Sequence, residues 1–261
     1  LLGRPRSALT CLIMPGFGSS THTQDNAELL ARSLGASHQR LSVSDLSLDV
    51  LVAMGHPAGA ASIEELLARV RKDPSIADVS FENVQARLRT LLLMSVANRV
   101  GGLVVGTGDL SEKALGWSTY ARAQISKADA DARVPKTLIQ FLIRWVANER
   151  VQTWSQTDHG ELRKVLFAIL DTPISPELLP PNESGEIAQL TEAKLGPYEL
   201  HDFFLFHTLR HGRRPAITLR LAERAFAGRY ETAVLRGHFE VFLKRFFSMQ
   251  FKRSCTPDGP K

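Results

Sequence analysis

Two short apolar runs, each stopped abruptly by turn residues, limit what this chain can fold into. Residues 8–14 (ALTCLIM) run into Pro15-Gly16, and residues 103–105 (LVV) lie between Gly101-Gly102 and Gly106-Thr107-Gly108. Runs of this length suit buried strands, and the proline and glycines place a loop at the carboxyl end of each. Stretches with helical spacing separate them. Residues 25–34 carry Leu29, Leu30 and Leu34, residues 63–70 repeat the pattern, and a helix from Glu82 sets Val84, Leu88, Leu91, Leu92 and Val96 on one face. Residues 40–46 alternate weakly and read as a second strand. Strand, helix, strand, helix, strand is the grammar of a parallel α/β sheet. We therefore expect residues 8–14, 40–46 and 103–105 to be parallel strands of one sheet, with ligands at their carboxyl ends near Pro15-Gly16 and Thr107.

The second half reads as mainly helical. Pro135 opens a helix whose stripe is Leu138, Phe141, Leu142, Trp145 and Val146, and residues 162–170, 198–209, 216–226 and 239–247 have the same spacing. Residues 172–185, rich in proline and polar side chains, read as a connecting loop. With 261 residues, 44% hydrophobic and 23% charged, the chain can bury a full core and is not disordered. No apolar run reaches the roughly 18 residues of a membrane span, and there is no signal-peptide order at the start. Only two cysteines occur, Cys11 and Cys255, which fits a reducing cytoplasm. The net charge of +5 is spread along the chain, so a polyanionic small molecule suits it at least as well as a nucleic acid. Residues 1–6 (LLGRPR) read as the end of a helix entering a turn, so the chain is expected to be an excerpt.

Several residues could carry chemistry. In GTGDLSE (residues 106–112) backbone amides and the Thr107 hydroxyl can approach a phosphate or ribose, with Glu112 one turn into the next helix. By pattern alone the commoner reading of the same segment is a glycine turn with Asp109 or Ser111 capping a helix. Asn83 and Arg87 stand at i and i+4, where an amide and a guanidinium can hold a phosphate or ribose, or simply form a basic outer face. Lys136 lies just inside a helix start, where a cation is unfavourable unless something anionic is close. His207 and His211 also stand at i and i+4, but with no third ligand they are expected to serve the core or surface. Trp117, Trp145 and Trp154 are core candidates. Residues 210–214 (RHGRR) form a solvated loop and the best candidate for a nucleic-acid patch.

Five blocks change how these residues read together. FENVQARLRT (81–90), VGTGDLSEKALGWSTY (105–120), VPKTLIQFLIRWV (134–146), LDTPISPELLP (170–180) and QFKRS (250–254) occur in this order, and MPGF (14–17) precedes them. Together they resemble the synthetase domain of bacterial glutamine-dependent NAD⁺ synthetases across nearly the whole chain. The resemblance implies one synthetase domain over residues 1–261, with a Rossmann-like parallel sheet of the adenine nucleotide α-hydrolase-like group. It also implies ATP-dependent amidation of deamido-NAD⁺ by ammonia through an adenylated intermediate, with Mg²⁺. By the same resemblance Thr107, Lys136 and Thr172 contact ATP. Asn83, Arg87, Glu112, Trp117, Ser118, Thr119, Tyr120 and Lys252 contact deamido-NAD⁺, and Glu112 also serves Mg²⁺. No residue is assigned as catalytic. Such synthetases form homo-oligomers through helices; no membrane or nucleic-acid partner is implied.

Three departures from the family pattern stand out. The SGGxDS pyrophosphate loop is expected before Leu1, on a strand central to the sheet. Residues 121–133 (ARAQISKADADAR) lack the glycine of the family's loop, with Gln124 where an aspartate is expected, and neither Asp129 nor Asp131 is promoted in its place. The glutaminase domain is missing from this chain. An NAD⁺ synthetase impaired in the chain as given is therefore expected, with a degenerate nucleotide-binding or structural protein of the same ancestry as the alternative.

Overall fold

The computed structural model describes residues 5–120, 128–129, 133–154, 158–180 and 191–255. Expectations that fall on residues 1–4, on Gln124 and Asp131, and on residues 181–185 lie outside the described residues. The chain divides into two compact units, one within residues 1–96 and 141–190, the other within 97–140 and 191–261.

In the first unit strand β1 (Thr10–Ile13) pairs in parallel with β2 (Ser37–Arg40), Thr10 opposite Ser37 and Ile13 opposite Arg40. Helix α1 (Thr21–Ser33) forms the crossover between them. The Ser20 hydroxyl accepts the Thr23 amide at 3.1 Å and opens α1, and Gly35, at φ 71°, lets the chain turn into β2. Residues 40–46 are not a strand. Pairing stops at Arg40, and helix α2 (Ser44–Ala53) begins four residues later. The apolar signal there belongs to Val43, fully buried as the helix enters, with its amide donating to the Pro15 carbonyl at 2.9 Å. Helix α3 (Ile63–Lys72) has Ser62 as cap, Glu64 and Glu65 in its first turn and Arg69, Arg71 and Lys72 in its last. That order complements the helix dipole at both ends.

Helix α4 (Val79–Val100) buries Phe81, Gln85, Ala86 and Thr90, none of them in its last ten residues. Phe81 stacks on Phe17 at 5.3 Å in a cluster with Leu48, Leu51 and Leu66. A second cluster is built on Leu162, Val165 and Leu166 of helix α7 (His159–Asp171), against Leu29, Leu30 and Leu34.

In the second unit β3 (Val105–Gly106) precedes helix α5 (Leu110–Leu115) and pairs in parallel with β4 (Ala128–Asp129). The expectation of one sheet holding all three runs is corrected: β3 pairs with β4, and β1 with β2, in two separate two-stranded sheets. The physical reason is that Leu103 and Val105 are about half exposed, so the LVV run is not the buried core strand its composition suggests. The parallel sense holds in both pairs.

Beyond β4 the structure is helical, as expected: α6 (Lys136–Trp145), α8 (Thr191–Leu195), α9 (Tyr198–Leu205), α10 (Pro215–Ala225), α11 (Thr232–Ser248) and α12 (Gln250–Arg253). Helices α6 and α9 run on into π-helical turns, Val146–Arg150 and Phe206–Arg210. The α6 stripe is not core. Leu138, Phe141, Leu142 and Trp145 are all exposed, and α6 buries no residue. His207 and His211 serve aromatic packing, with His207 4.4 Å from the Phe203 ring and His211 4.7 Å from Phe206. Among the described residues no helix is long and apolar enough to cross a membrane.

Phe204, Phe239 and Phe242 form the centre of this unit, and His201 is buried beside them, 6.4 Å from the Phe242 ring. His201 Nε2 pairs with the Leu195 carbonyl at 2.7 Å, so Nε2 carries a proton, and Nδ1 is buried with no hydrogen-bond partner among the described residues, which suits a neutral ring. Burial pushes its pKa down to about 4 from the usual 6.5. The unfolded chain therefore takes up the second imidazole proton more readily, and the stability conferred by the neutral ring is full above pH 6.5 and lost as pH falls through 4. We expect about 3 kcal/mol to be lost over that window. Urea unfolding at a series of pH values should show a smaller loss for His201→Gln than for the parent.

Candidate functional site

The loop leaving β3 delivers Asp109 to the start of α5. Its side chain is nearly inaccessible; Oδ1 accepts the Glu112 amide at 2.8 Å and caps the helix. Its Oδ2 meets the Lys136 ammonium at 2.5 Å, and Glu112 Oε1 meets the same ammonium at 2.8 Å. Two carboxylates a turn apart on α5 thus hold one lysine from the first residue of α6. Leu110 donates its amide to the Val134 carbonyl at 3.0 Å, tying the two segments together. Burial works against the charged form of Lys136, but Glu112 and Asp109 outweigh it and hold the ammonium above the ordinary lysine range. The sequence oddity of a cation at a helix start is answered here by acids from elsewhere in the chain.

A third carboxylate supports the first two. Asp202, on α9, accepts a hydrogen bond from the Ser111 hydroxyl on one oxygen. On the other it accepts the Thr137 amide at 2.9 Å and the Thr137 hydroxyl at 2.7 Å. Burial raises the Asp202 pKa, and the bonds from Ser111 and Thr137 oppose that shift. Tyr198, at the start of α9, lies with its ring 5.7 Å from the Lys136 nitrogen. Its hydroxyl is buried with no hydrogen-bond partner among the described residues. Burial first, and then the charges of Glu112, Asp109 and Asp202, push its pKa well above the usual range, so it stays a neutral phenol.

The other end of α5 is held by cations. Arg253 donates to the Ala114 carbonyl, Arg245 to that of Leu115, each at 2.9 Å, and Lys252 to those of Gly116 and Ser118 at 2.9 and 2.7 Å. Those of Ala114, Leu115 and Gly116 are carbonyls a helix end leaves without internal partners, Ser118 lies just beyond it, and positive charge suits that end of the dipole. Gly116 has φ 60°, and a Cβ there would run into the Met249 side chain, so glycine is required twice over. Arg245 also lies over the Trp117 ring at 5.3 Å, and Tyr120 packs on Phe251 at 5.8 Å. Residues 117–119 are half-buried and Tyr120 is exposed. Burial, then the Arg245 charge, lowers the Lys252 pKa.

In the first unit the FENVQARLRT helix uses a different pair from the one its spacing suggested. Gln85 is fully buried; its Oε1 accepts the Phe17 amide at 3.0 Å and its Nε2 donates to the Leu178 carbonyl at 2.8 Å. Arg89, one turn on, donates through Nε to the Met14 carbonyl at 2.9 Å. This pair fixes the loop at the carboxyl end of β1, where a Cβ on Gly16 would come within 2.6 Å of Gln85 Oε1. Gln85 and Arg89 have the same i, i+4 spacing as Asn83 and Arg87, so the signal was present but could not choose between faces. Asn83 is half-buried and Arg87 exposed on the same helix. The Thr172 hydroxyl donates to the Ala168 carbonyl at 2.8 Å, closing the end of α7. Thr107 is exposed just after β3.

The joint arrangement is a strand-end loop, two carboxylates on one lysine, and a segment of aromatic and hydroxyl side chains beyond. The family model described as NAD synthase matches residues 4–147, more than half of the chain and all of the loop, α5 and Lys136. The chain belongs to the NAD synthase family. A glutamine-dependent NAD⁺ synthetase of Mycobacterium tuberculosis is 43% identical over 278 aligned residues, covering 99% of this chain and 38% of the relative. The chain thus spans well under half the length of that relative. A crystal structure of a glutamine-dependent NAD⁺ synthetase from Cytophaga hutchinsonii matches with TM-score 0.68 at 18% identity, over 96% of this chain and 35% of that one. The NMN synthetase of Francisella tularensis matches with TM-score 0.58 at 19% identity, over 94% of this chain and 75% of that one. At these identities the two structures establish the fold shared with this NAD synthase member, and nothing finer.

The orphaned Tyr198 hydroxyl gives a direct check on the site's packing. Removing a buried donor that makes no bond relieves its desolvation without losing an interaction. Tyr198→Phe is expected to leave the unfolding free energy unchanged or to raise it by up to about 1 kcal/mol. A loss larger than that, measured by urea titration, would mean the hydroxyl has an acceptor.

Proposed function

We propose that this chain is the synthetase part of an enzyme that amidates deamido-NAD⁺ to NAD⁺ with ATP, its activity impaired in the chain as given. The observation that carries the reading is the Asp109–Lys136–Glu112 cluster, set at the end of β3 inside the span that places the chain in the NAD synthase family. In the reaction a carboxylate oxygen of the nicotinate ring attacks the α-phosphorus of ATP, the bond to pyrophosphate breaks, and an acyl adenylate forms. Ammonia then attacks the acyl carbon, AMP departs, and the nitrogen sheds a proton to leave the amide. Each stage places negative charge on phosphoryl oxygens. A fixed ammonium in a partly dry site stabilises that charge well. The two carboxylates keep Lys136 protonated until a phosphate competes for it, and Thr107 stands at the loop from which a nucleotide would approach.

Mg²⁺ is expected to accompany the phosphates, because that ion binds through one or two carboxylates plus phosphate oxygens. Among the described residues no group of three or more His, Cys, Asp or Glu could hold a metal by itself. Glu112 suits the part of a single protein ligand, since Asp109 is the helix cap as well as a partner of Lys136. When bound, the ion would neutralise phosphoryl oxygens beside Lys136. The segment Trp117, Ser118, Thr119 and Tyr120 is assigned to the nicotinate end of the substrate, with Lys252 holding it through the Ser118 carbonyl and that of the preceding Gly116. Asn83, Arg87 and Thr172 are assigned to the substrates by resemblance, Arg87 being the exposed cation among them. Ammonia comes from outside this chain in this reading. We place the protein in the cytoplasm on its two unpaired cysteines.

In the full-length protein carrying this chain, Glu112→Ala is expected to lower ATP–pyrophosphate exchange dependent on deamido-NAD⁺ by about a hundred- to a thousandfold. An unchanged exchange rate would remove the proposal. We also infer a homo-oligomer, because the apolar residues of α6 lie exposed along one helix. A monomer by light scattering at micromolar concentration would count against it.

A further inference from the structure

The four N–H groups at the start of a helix need acceptors, and α6 has no acidic residue in its first turn to help supply them. The acceptors come instead from two other helices. The Lys136 amide donates to Ser111 Oγ at 2.8 Å, and the Thr137 amide donates to Asp202 Oδ2 at 2.9 Å. A serine hydroxyl has one proton to give, and Ser111 gives it to Asp202 Oδ1, which turns its lone pairs toward the Lys136 amide. Asp202 thus orients Ser111 and caps α6, with each of its oxygens engaged. Ser111 and Asp202 are both buried, and α9 is brought to this point from more than sixty residues downstream. The carboxylate also supplies negative charge at the positive end of α6, where Lys136 would otherwise be repelled.

We propose that Asp202 is a positioning residue for Lys136: it fixes the backbone from which the lysine reaches Asp109 and Glu112, and so determines where the ammonium stands when a phosphate arrives. The part that concerns nucleotides rests on the reaction proposed above; the part that concerns Lys136 does not. Ser111 and Thr137 are the two spokes through which Asp202 acts. Thr137 gives both its amide and its hydroxyl to one Asp202 oxygen, so loss of the hydroxyl alone should weaken the hold without removing the cap.

The test uses the full-length protein carrying this chain. Lysine acylation followed by mass spectrometry reads the environment of Lys136 directly, because its amine is shielded by two carboxylates. Asp202→Asn is expected to speed labelling of Lys136 severalfold while lysines elsewhere are unaffected. Thr137→Val should do so more weakly, and Thr137→Ser should restore the parent rate. In parallel, ATP affinity by calorimetry should fall about tenfold to a hundredfold in Asp202→Asn. In a Lys136→Gln background the same substitution should have no further effect, because one residue acts through the other. Thermal unfolding identifies any variant that fails to fold, in which case the Thr137 pair decides the matter. Unchanged labelling of Lys136 in Asp202→Asn or Thr137→Val would overturn the proposal, as would additive losses with Lys136→Gln. If labelling responds as expected but Lys136→Gln binds ATP as tightly as the parent, positioning stands and the nucleotide role of the site fails.

Discussion

An ammonium drawn partly out of water has to take its counter-charges with it, and in this molecule that requirement ties together segments remote in sequence. Lys136 is satisfied by Asp109 and Glu112 on α5. Its backbone is satisfied by Ser111, and the next residue by Asp202 on α9. Losing one member of a partly buried charge cluster leaves the others uncompensated, which costs far more than the pairing gains. The cluster therefore works as a specification of geometry more than as a source of stability. It ties α5, α6 and α9 together and leaves a cation at the end of a strand loop.

How much of this the sequence disclosed depends on the range of the interaction. Local signals were legible: the cap at Asp109, the parallel strand–helix–strand order of the first unit, and the helical second half. Lys136 was legible as an anomaly, a cation where the helix dipole opposes it, and the anomaly pointed to anions without naming them. Asp202 could not be named, because its relation to Lys136 is created by tertiary packing, and a lone aspartate in a phenylalanine-rich helix has no pattern of its own. The Gln85–Arg89 pair was hidden differently. Its spacing equals that of Asn83–Arg87, and only burial distinguishes the two faces of α4. The expectations of a strand at 40–46 and of a single sheet fail for one reason: apolar composition reads as buried strand, whereas Val43 is buried by a helix start and Leu103 and Val105 are about half exposed.

The carboxyl end of α5 carries a consequence for the order in which the molecule is made. Its open carbonyls are closed by Arg245, Lys252 and Arg253, the last stretch of helix described. Synthesis runs from the amino terminus, and domains acquire structure as their parts emerge. Residues 114–118 leave the ribosome some 130 residues before the groups that hold them. During that interval the aromatic and hydroxyl segment beyond Gly116 has no cations to fix it, whatever else has already folded. Residues 114–118 are therefore shaped by groups made some 130 residues later, and until those groups emerge α5 stands without the clasp that gives the following loop its shape.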